Sequence, residues 1–303
     1  MSKLNRRVKR SESVKLTHNR AVILMLLVTL MWSTAGVVTR HLEAAKSFEV
    51  TFWRSFFTVI SLAVILPFFM GRSVFAKIRH AGKTFWLSSL CWCGMFTFYM
   101  MAITLTSVAN VLVTMAIGPL LTALIARIFI GQKIPGRTWM AIMVAGVGIA
   151  WMFAAQLQGG QLLGTVVALG VPLAAAINWT ITQNAHDQGH DVDLISAVMM
   201  GAVFSCLLTF PMAFPFKASA WDITLLASLG LGQLAVPCVL SVMCARVLKA
   251  PEVSLLALLE VPFGIILVWL GANEAPSSTV LLGGALVIGA LVVNELVGWR
   301  QRA

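Results

Sequence analysis

Charged residues are scarce in this chain of 303 residues, because Asp, Glu, Lys and Arg make up only 11% of it, against about 25% in soluble proteins. So few charges cannot cover the water-facing surface of a protein of this length. Hydrophobic residues reach 59%, whereas soluble chains contain about 45–50%. The composition excludes an ordinary soluble domain and indicates that lipid faces much of the chain.

Motifs of soluble catalysis are also missing. The sequence contains no Walker phosphate loop and no G-x-S-x-G nucleophile elbow. The five cysteines all lie in apolar runs and are odd in number, so we expect packed thiols rather than a disulfide framework. The segment QNAHDQGHDVD at 183–193 holds metal-ligand residue types, but their spacing in a loop specifies no site. We therefore expect no cofactor, no metal and no enzyme activity.

What the chain has instead is a series of long apolar runs separated by short polar linkers. A membrane-spanning helix needs about 20 mostly apolar residues, and lipid tolerates no unpaired backbone groups. The sequence predicts ten spans, at 21–40, 49–69, 84–104, 108–130, 137–154, 162–184, 193–214, 222–245, 253–271 and 279–298.

The basic residues are distributed unequally between the two sides of the membrane. The net charge is +11, and seven Lys and Arg lie in residues 1–20, which argues for a membrane tail and not for nucleic-acid binding. With a cytoplasmic N-terminus, 17 Lys and Arg fall on the inner side and 3 on the outer side. This bias predicts that both termini are cytoplasmic and supports an even number of spans.

Residues 109–152 and 252–294 share one pattern. Each contains an apolar run with a mid-span proline, Pro119 or Pro262, then a polar turn and a Gly/Ala-rich span. The second copy begins five spans after the first, so it must enter the membrane from the opposite side. We therefore expect an all-α integral membrane protein whose ten transmembrane helices form two inverted five-helix repeats, an arrangement typical of secondary transporters.

Four segments resemble the drug/metabolite transporter superfamily, in particular its ten-helix EamA-like family. They are LMWSTAGVVTR and FWRSFF in the first two spans, AITLTSVANVLVTMAIGPLLTALIARIFIGQKI, and LLALLEVPFGIILVWLGANEAPSSTVLLGGALVIGALVVNE. The resemblance covers roughly 21–298 and implies an inner-membrane carrier that exports amino acids, other metabolites or drugs. One turn departs from the family's Gly-Glu pattern, since it reads Gly131-Gln132-Lys133, whereas the matching turn of the second half keeps Glu274.

The resemblance and the span pattern predict four segments. They are a basic cytoplasmic tail at 1–20, a first EamA-like five-helix repeat at 21–154, a second at 162–298 and a cytoplasmic tail at 299–303. Polar and aromatic residues at helical spacing mark faces that are candidates for a substrate cavity. They are Trp32, Ser33, Arg54, Trp92, Tyr99, Asn110, Thr114, Asn178, Trp179 and Thr182. The same polar residues are also suited to joining helices, so both interpretations stay open.

Two ionisable residues and two prolines carry more specific hypotheses. Arg54 lies about 8 Å deep by helix rise, where it either snorkels outward or acts as counter-ion for a substrate carboxylate or for Glu260. Glu260 lies near the middle of the ninth span, where a carboxylate is costly unless it is paired or protonated. It is therefore either a proton-coupling group or a structural acid. Pro119 and Pro262 are candidate helix breaks or hinges.

Together these features predict a secondary active transporter, and an exporter, that works by alternating access. Its partners would be a small-molecule substrate, the lipid bilayer and protons, and not nucleic acid. We expect a monomer in the bacterial inner membrane, with a dimer as the alternative. An integral membrane enzyme and a receptor or scaffold without transport are the competing functions.

Overall fold

The computed structural model describes residues 16–71, 74–131, 133–156, 162–188, 194–245, 247 and 256–300. All regular structure in these ranges is helical. The helices are α1 His18–Thr39, α2 Ser47–Met70, α3 Val74–Arg79, α4 Lys83–Leu105, α5 Val108–Met115, α6 Gly118–Ile130, α7 Gly136–Gln156, α8 Leu162–Asp187, α9 Leu194–Ala213, α10 Ala220–Ser228, a π-helical segment Leu229–Ala235, α11 Val236–Ala245, α12 Glu260–Ala272 and α13 Ser278–Arg300.

Most of these helices suit a lipid bilayer. Within the described ranges, eight helical stretches are long and apolar enough to cross a membrane, namely α1, α2, α4, α5–α6, α8, α9, α10–α11 and α13. The fifth predicted span is α7, and the ninth is the shorter apolar helix α12, whose predicted first residues 253–255 lie outside the described ranges. The prediction of an all-α integral membrane protein is confirmed.

The fourth span is interrupted, although the sequence pattern predicts one run at 108–130. Helix α5 ends at Met115, and α6 begins at Gly118 with Pro119 in its first turn. Proline has no N–H to donate and its ring crowds the carbonyl four residues earlier, so the helix restarts at this point. Pro262 occupies the same place in the second half, in the first turn of α12.

Packing between the helices is close to symmetric when the two halves are exchanged. Helix α4 packs on α8 and α9, and its counterpart, α10–α11 with the π-helical segment, packs on α1 and α2. Helix α1 contacts α12, just as α8 contacts α5 and α6. Helix α2 packs on α9, the equivalent helix of the second half, and α7 packs on its equivalent, α13.

Contacts at the helix ends show the direction of each helix. The end of α1 bonds to the end of α4 through Arg40 and the Ile103 carbonyl, and Gly164, at the start of α8, lies against Leu105. At the opposite end, Thr138 near the start of α7 donates to Asn294 near the end of α13, at 2.9 Å. The bonds of Glu49, Asp222 and Glu274, which are described below, agree with these contacts. Together they indicate that each membrane helix of the first half runs opposite to its counterpart in the second half. Inverted repeats require this arrangement.

Small residues allow close contact between the halves at α7 and α13. A Cβ atom on Gly148 would lie 2.8 Å from the Gly283 carbonyl oxygen, and one on Gly283 would lie 2.4 Å from Cγ of Met152. Membrane helices gain packing energy by such backbone approach, because lipid removes the hydrophobic drive that joins helices in water. The larger buried side chains, among them Met100, Ile103 and Leu112, fill the contacts between α4, α5 and their neighbours.

Candidate functional site

Arg54 is buried in the middle of the helix bundle. It belongs to α2, its exposure is 2%, and its guanidinium carbon lies 5.8 Å from the Phe96 ring centre and 5.6 Å from that of Tyr99. Both rings belong to α4 and offer their π faces to the cation. The Nε and Nη1 atoms of Arg54 have no hydrogen-bond partner. The snorkelling interpretation is therefore wrong for this conformation, since the side chain reaches into the protein.

Glu260 approaches the same region from the second half. It is the first residue of α12, and its backbone carbonyl accepts a hydrogen bond from the Ser33 hydroxyl of α1, at 3.2 Å. Its carboxylate lies within electrostatic range of Arg54, Tyr99 and Cys238, yet no ion pair within 4.0 Å joins it to Arg54. The residue is surrounded by protein but keeps part of its surface exposed, so it faces an internal space.

The π-helical segment and α11 provide a further wall of this space. Gln233 is 4% exposed, and its Nε2 donates to the Trp32 carbonyl at 3.3 Å, whereas its Oε1 has no partner. The buried Cys238 thiol interacts with Trp32 and lies within electrostatic range of Arg54. We call the space bordered by Trp32, Arg54, Tyr99, Cys238 and Glu260 the interior site.

Two residues at or beside this site, Gln233 and Cys238, were missed by the sequence analysis. A signal for Gln233 existed, because it is an isolated amide in an apolar run and glycines precede it at 230 and 232. A π-helical turn inside an α-helix commonly marks a functional position. No pattern could have identified Cys238, since a cysteine in an apolar run usually serves only as a small packed side chain.

Other candidate residues lie at helix contacts. Asn178 of α8 accepts a hydrogen bond from the Ser88 hydroxyl of α4, at 2.6 Å. Asn110 of α5 donates to the Thr165 hydroxyl of α8 and, at 3.2 Å, to Thr106. Thr114 donates to the Asn110 carbonyl. Asn178 and Asn110 therefore join α8 to its neighbours, whereas the Thr114 hydroxyl bonds within α5.

The tryptophans Trp92 and Trp179 contact each other edge to face, with ring centres 6.5 Å apart. Trp179 is 47% exposed, whereas the Nε1 atom of Trp92 is buried without a partner. Trp92 also contacts Phe96, the ring beneath Arg54, with centres 5.6 Å apart. The side chain of Thr182 lies outside the described part of the chain, as do residues 189–193 of the His/Asp loop.

Three carboxylates accept backbone N–H bonds from the opposite half at one membrane face, which we call the carboxylate face. Glu49, in the first turn of α2, accepts backbone N–H bonds from Lys217 at 2.9 and 3.0 Å and from Ala218 at 2.8 Å. Charge-assisted bonds of this kind are about twice as strong as neutral ones. Glu49 therefore fastens the linker between α9 and α10 to the start of α2.

Asp222 makes the reciprocal connection. It caps α10 with Ser219, and its carboxylate accepts N–H bonds from Glu43 at 2.8 Å, Ala44 at 3.0 Å and Ala45 at 2.9 Å. Three successive donors from the linker between α1 and α2 therefore converge on one acid of the second half. The donors are backbone atoms, so the main chain of the linker is held directly.

Glu274, just after α12, completes the set. It forms an ion pair with Arg40, and it accepts the N–H of Val108 at 2.8 Å. Arg40 in turn donates to the carbonyls of Ile103 and Thr106, each at 2.9 Å, so its charge also caps the end of α4. The carboxylate face is thus closed by bonds between the two halves.

These features define a multi-pass helical membrane protein with a buried ionisable site between two oppositely directed halves. Residues 19–154 match the model of the EamA-like transporter family. This part of the chain is therefore an EamA-like transporter domain, and the EamA-like family lies within the drug/metabolite transporter superfamily.

Two further similarities agree with this assignment. A protein of Vibrio cholerae serotype O1 named "Uncharacterized transporter" is 22% identical over 133 residues, which are 43% of this chain and 44% of that protein. A solved structure titled "Crystal structure of protein" is 17% identical, covers 94% of this chain and 99% of its own, and superposes with a TM-score of 0.62. The second similarity shows the fold alone.

Proposed function

We propose that this protein is a secondary transporter that carries small organic solutes across the membrane by alternating access. The observation that carries the proposal is the interior site, where Arg54 of one half and Glu260 of the other lie within electrostatic range of each other without forming an ion pair. Burying charged groups without close partners costs several kcal/mol. A static scaffold gains nothing from this cost, whereas a carrier needs polar groups that a solute can satisfy.

Alternating access is supported by how the halves are joined. Inverted halves can exchange their arrangements, which gives two states open to opposite sides. In this structure Glu49, Asp222 and Glu274 hold the carboxylate face closed. A solute would leave on that side only after these bonds break. Glu49 and Asp222 are buried in this state, and opening of the face would expose them to water that can replace the backbone donors.

The direction, location and coupling of transport complete the proposal. The charge bias of the linkers supports cytoplasmic termini, and hence an outward-directed carboxylate face in the bacterial inner membrane. The family supports export of amino acids, related metabolites or drugs, with the chain acting as a monomer. Glu260 is the proposed proton-coupling group, because it is an acid at the interior site with no close cationic partner.

Uptake into proteoliposomes tests the transport proposal directly. The purified full chain would be reconstituted and offered a radiolabelled panel of amino acids, nucleosides, organic acids and amines. We expect at least one solute to enter faster than into protein-free liposomes, and Arg54→Gln to abolish this uptake. The exposed Arg127 provides the matched control, and Arg127→Gln should retain uptake. Folded protein that accelerates no solute of the panel would contradict the proposal.

A further inference from the structure

Helices α2 and α4 of the first half offer hydrogen-bond donors that no residue in the described part of the chain accepts. Arg54 contributes Nε and Nη1, and Trp92 contributes its indole Nε1. Both side chains contact the ring of Phe96, so Trp92 lies one helical turn along α4 from the ring that packs against Arg54. Each buried donor left without an acceptor costs about 1–3 kcal/mol. These donors would be satisfied only by an acceptor on a bound ligand within hydrogen-bond distance.

The chemistry of the missing acceptor follows from these donors. A guanidinium and an indole N–H can only donate, and the guanidinium carries a permanent positive charge. A carboxylate is acceptor-only and negatively charged, and its geometry suits arginine. Glu260 does not fill this role in the structure, because no ion pair within 4.0 Å joins it to Arg54.

The surroundings of Arg54 favour a small acid with an apolar or aromatic body. The rings of Phe96 and Tyr99 lie against the guanidinium, and Trp32 borders the same space. On the π-helical segment, the free Oε1 of Gln233 is an acceptor and would suit a hydroxyl or amide N–H on a substrate. An amine substrate would place its positive charge beside Arg54, which is unfavourable in a buried site.

We propose that Arg54 and the adjacent Trp92 bind the acid group of the transported solute, so that the substrates are small organic carboxylates. This inference rests on the proposed transport function for its physiological meaning. Its test, however, is binding, which can be measured without transport.

The test compares three ligands of nearly the same shape on the purified full chain. They are 3-phenylpropionate, its neutral amide and phenylalanine, which adds an ammonium group to the acid. Binding would be followed by ligand-dependent thermal unfolding, since a ligand of the native state raises the unfolding temperature with concentration. We expect the carboxylate to bind about 10- to 100-fold more tightly than the amide, as one charged hydrogen-bonded contact implies. Phenylalanine, which carries the same acid group, should also bind more tightly than the amide.

Variants then assign the preference to Arg54. Arg54→Gln should bring the affinity for the carboxylate down to that of the amide, and Arg54→Lys, which keeps the charge, should restore part of it. Trp92→Phe removes the second donor while it keeps the ring, and should weaken the carboxylate severalfold. Arg127→Gln serves as the control and should change nothing.

Each outcome bears on one of the two proposals. Equal binding of the acid and the amide by the wild-type chain would overturn the carboxylate inference even if Arg54→Gln fails to fold. Selective carboxylate binding with no uptake of any solute into proteoliposomes would support the inference and contradict the transport function. Uptake confined to neutral or cationic solutes would support the transport function and contradict the carboxylate inference.

Discussion

A polar residue inside a membrane helix can either meet the substrate or join two helices, and Asn178 illustrates the choice. Its amide oxygen accepts the Ser88 hydroxyl at 2.6 Å, and the residue is fully buried between α8 and α4. Hydrogen bonds between membrane helices contribute about 0.6 kcal/mol on average and up to about 1.7 kcal/mol. We predict that Asn178→Ala lowers the thermal stability of the detergent-solubilised protein by an amount in this range and leaves the transport KM unchanged.

Ser88→Ala provides the matched control, because it removes the same bond from the other side. The two substitutions should be non-additive, since the second has no bond left to break. An increased KM with unchanged thermal stability would instead assign Asn178 to the substrate cavity.

The sequence allowed some residues of the interior site to be predicted and concealed others. Arg54 and Glu260 could be predicted because a charge inside an apolar run is costly and therefore conspicuous. Asn110 and Asn178 were visible as polar residues, but helical spacing cannot tell which neighbour a face meets. Gln233 is brought beside Trp32 by contacts between residues about 200 positions apart, and no local pattern encodes such a contact.

Among the elements, the π-helical segment is held unusually close to α2. A Cβ atom on Gly230 would lie 2.6 Å from the Phe57 Cβ and 2.8 Å from the Thr58 backbone nitrogen, which cannot move aside. The Thr58 hydroxyl also donates to the Gly230 carbonyl, at 3.3 Å. We predict that Gly230→Ala destabilises the protein by about 1–3 kcal/mol through overpacking. It should also weaken solute uptake, because Arg54 is one helical turn from Thr58.

Gly232 lies in the same segment and is the natural control. A Cβ atom there would meet nothing within 4 Å, so Gly232→Ala should leave thermal unfolding and uptake nearly unchanged. Equal effects of the two substitutions would show that the π-helical turn needs both glycines for its backbone and that close packing on α2 is not the cause.

The bonds of the carboxylate face permit a test of the gating role. We predict that Asp222→Asn, which turns one of the acceptor oxygens into an N–H donor, loosens the linker between α1 and α2. The interior site should then open more often toward this face. In a chain that retains Cys238 as its sole cysteine, an impermeant maleimide applied from the carboxylate face should label Cys238 faster than in the unmodified parent.

The exposed Glu43 lies in the same linker and accepts the Ser219 hydroxyl at 3.2 Å. Glu43→Gln provides the control, because it keeps an oxygen that can accept this bond and should therefore leave labelling unchanged. Labelling that rises equally in both variants would point to a general change of surface charge. Labelling that rises in neither would mean that Asp222 only caps α10 and does not control access.

Element positions were largely predictable, because ten apolar runs and their polar linkers fix where helices begin and end. Pro119 marked the break between α5 and α6 as a candidate, whereas the sequence did not show the π-helical segment at Leu229–Ala235. Apolar periodicity does not reveal a π-helical segment, since a changed hydrogen-bond register leaves the composition of a span unaltered. The short helix α3, in the linker after α2, was missed because six residues carry too little periodicity.

The opposite direction of the two halves, at the scale of the whole molecule, followed from counting alone. A repeat of five spans must return on the other side of the membrane, and the end contacts of α1, α4, α7 and α8 agree with that direction. The interior site could not be obtained by counting. It depends on how deeply Arg54 and Glu260 are enclosed and on the distance between them, which only packing of the two halves decides.

The charge of the closed interior site sets a condition for the transport cycle. With Arg54 and Glu260 both ionised the empty site is neutral, and a bound monoanion would add one uncompensated negative charge in a region of low dielectric. Protonation of Glu260 removes that charge. The groups that face Glu260 are Arg54 of α2, Tyr99 of α4 and Cys238 of α11, while α1 bonds only its carbonyl. One proton should therefore accompany each monoanion.

We predict that wild-type uptake of 2-phenylethanesulfonate, an anion that stays ionised and crosses bilayers poorly, is driven by a proton gradient and is insensitive to membrane potential. Glu260→Gln keeps the shape of the side chain but cannot take up the proton, so each cycle then moves one net negative charge. An inside-positive potential of about 100 mV is worth about 2.3 kcal/mol per charge, so accumulation by this variant should rise about 50-fold.

Glu43→Gln should behave like the wild type, because Glu43 is exposed at the carboxylate face and far from the interior site. Proton-driven, voltage-insensitive uptake in Glu260→Gln would show that the proton is carried elsewhere, and Glu260 would then be a structural acid at the start of α12. Voltage-dependent uptake in the wild type would show that the site tolerates a net charge while closed, which contradicts the charge-balance condition itself.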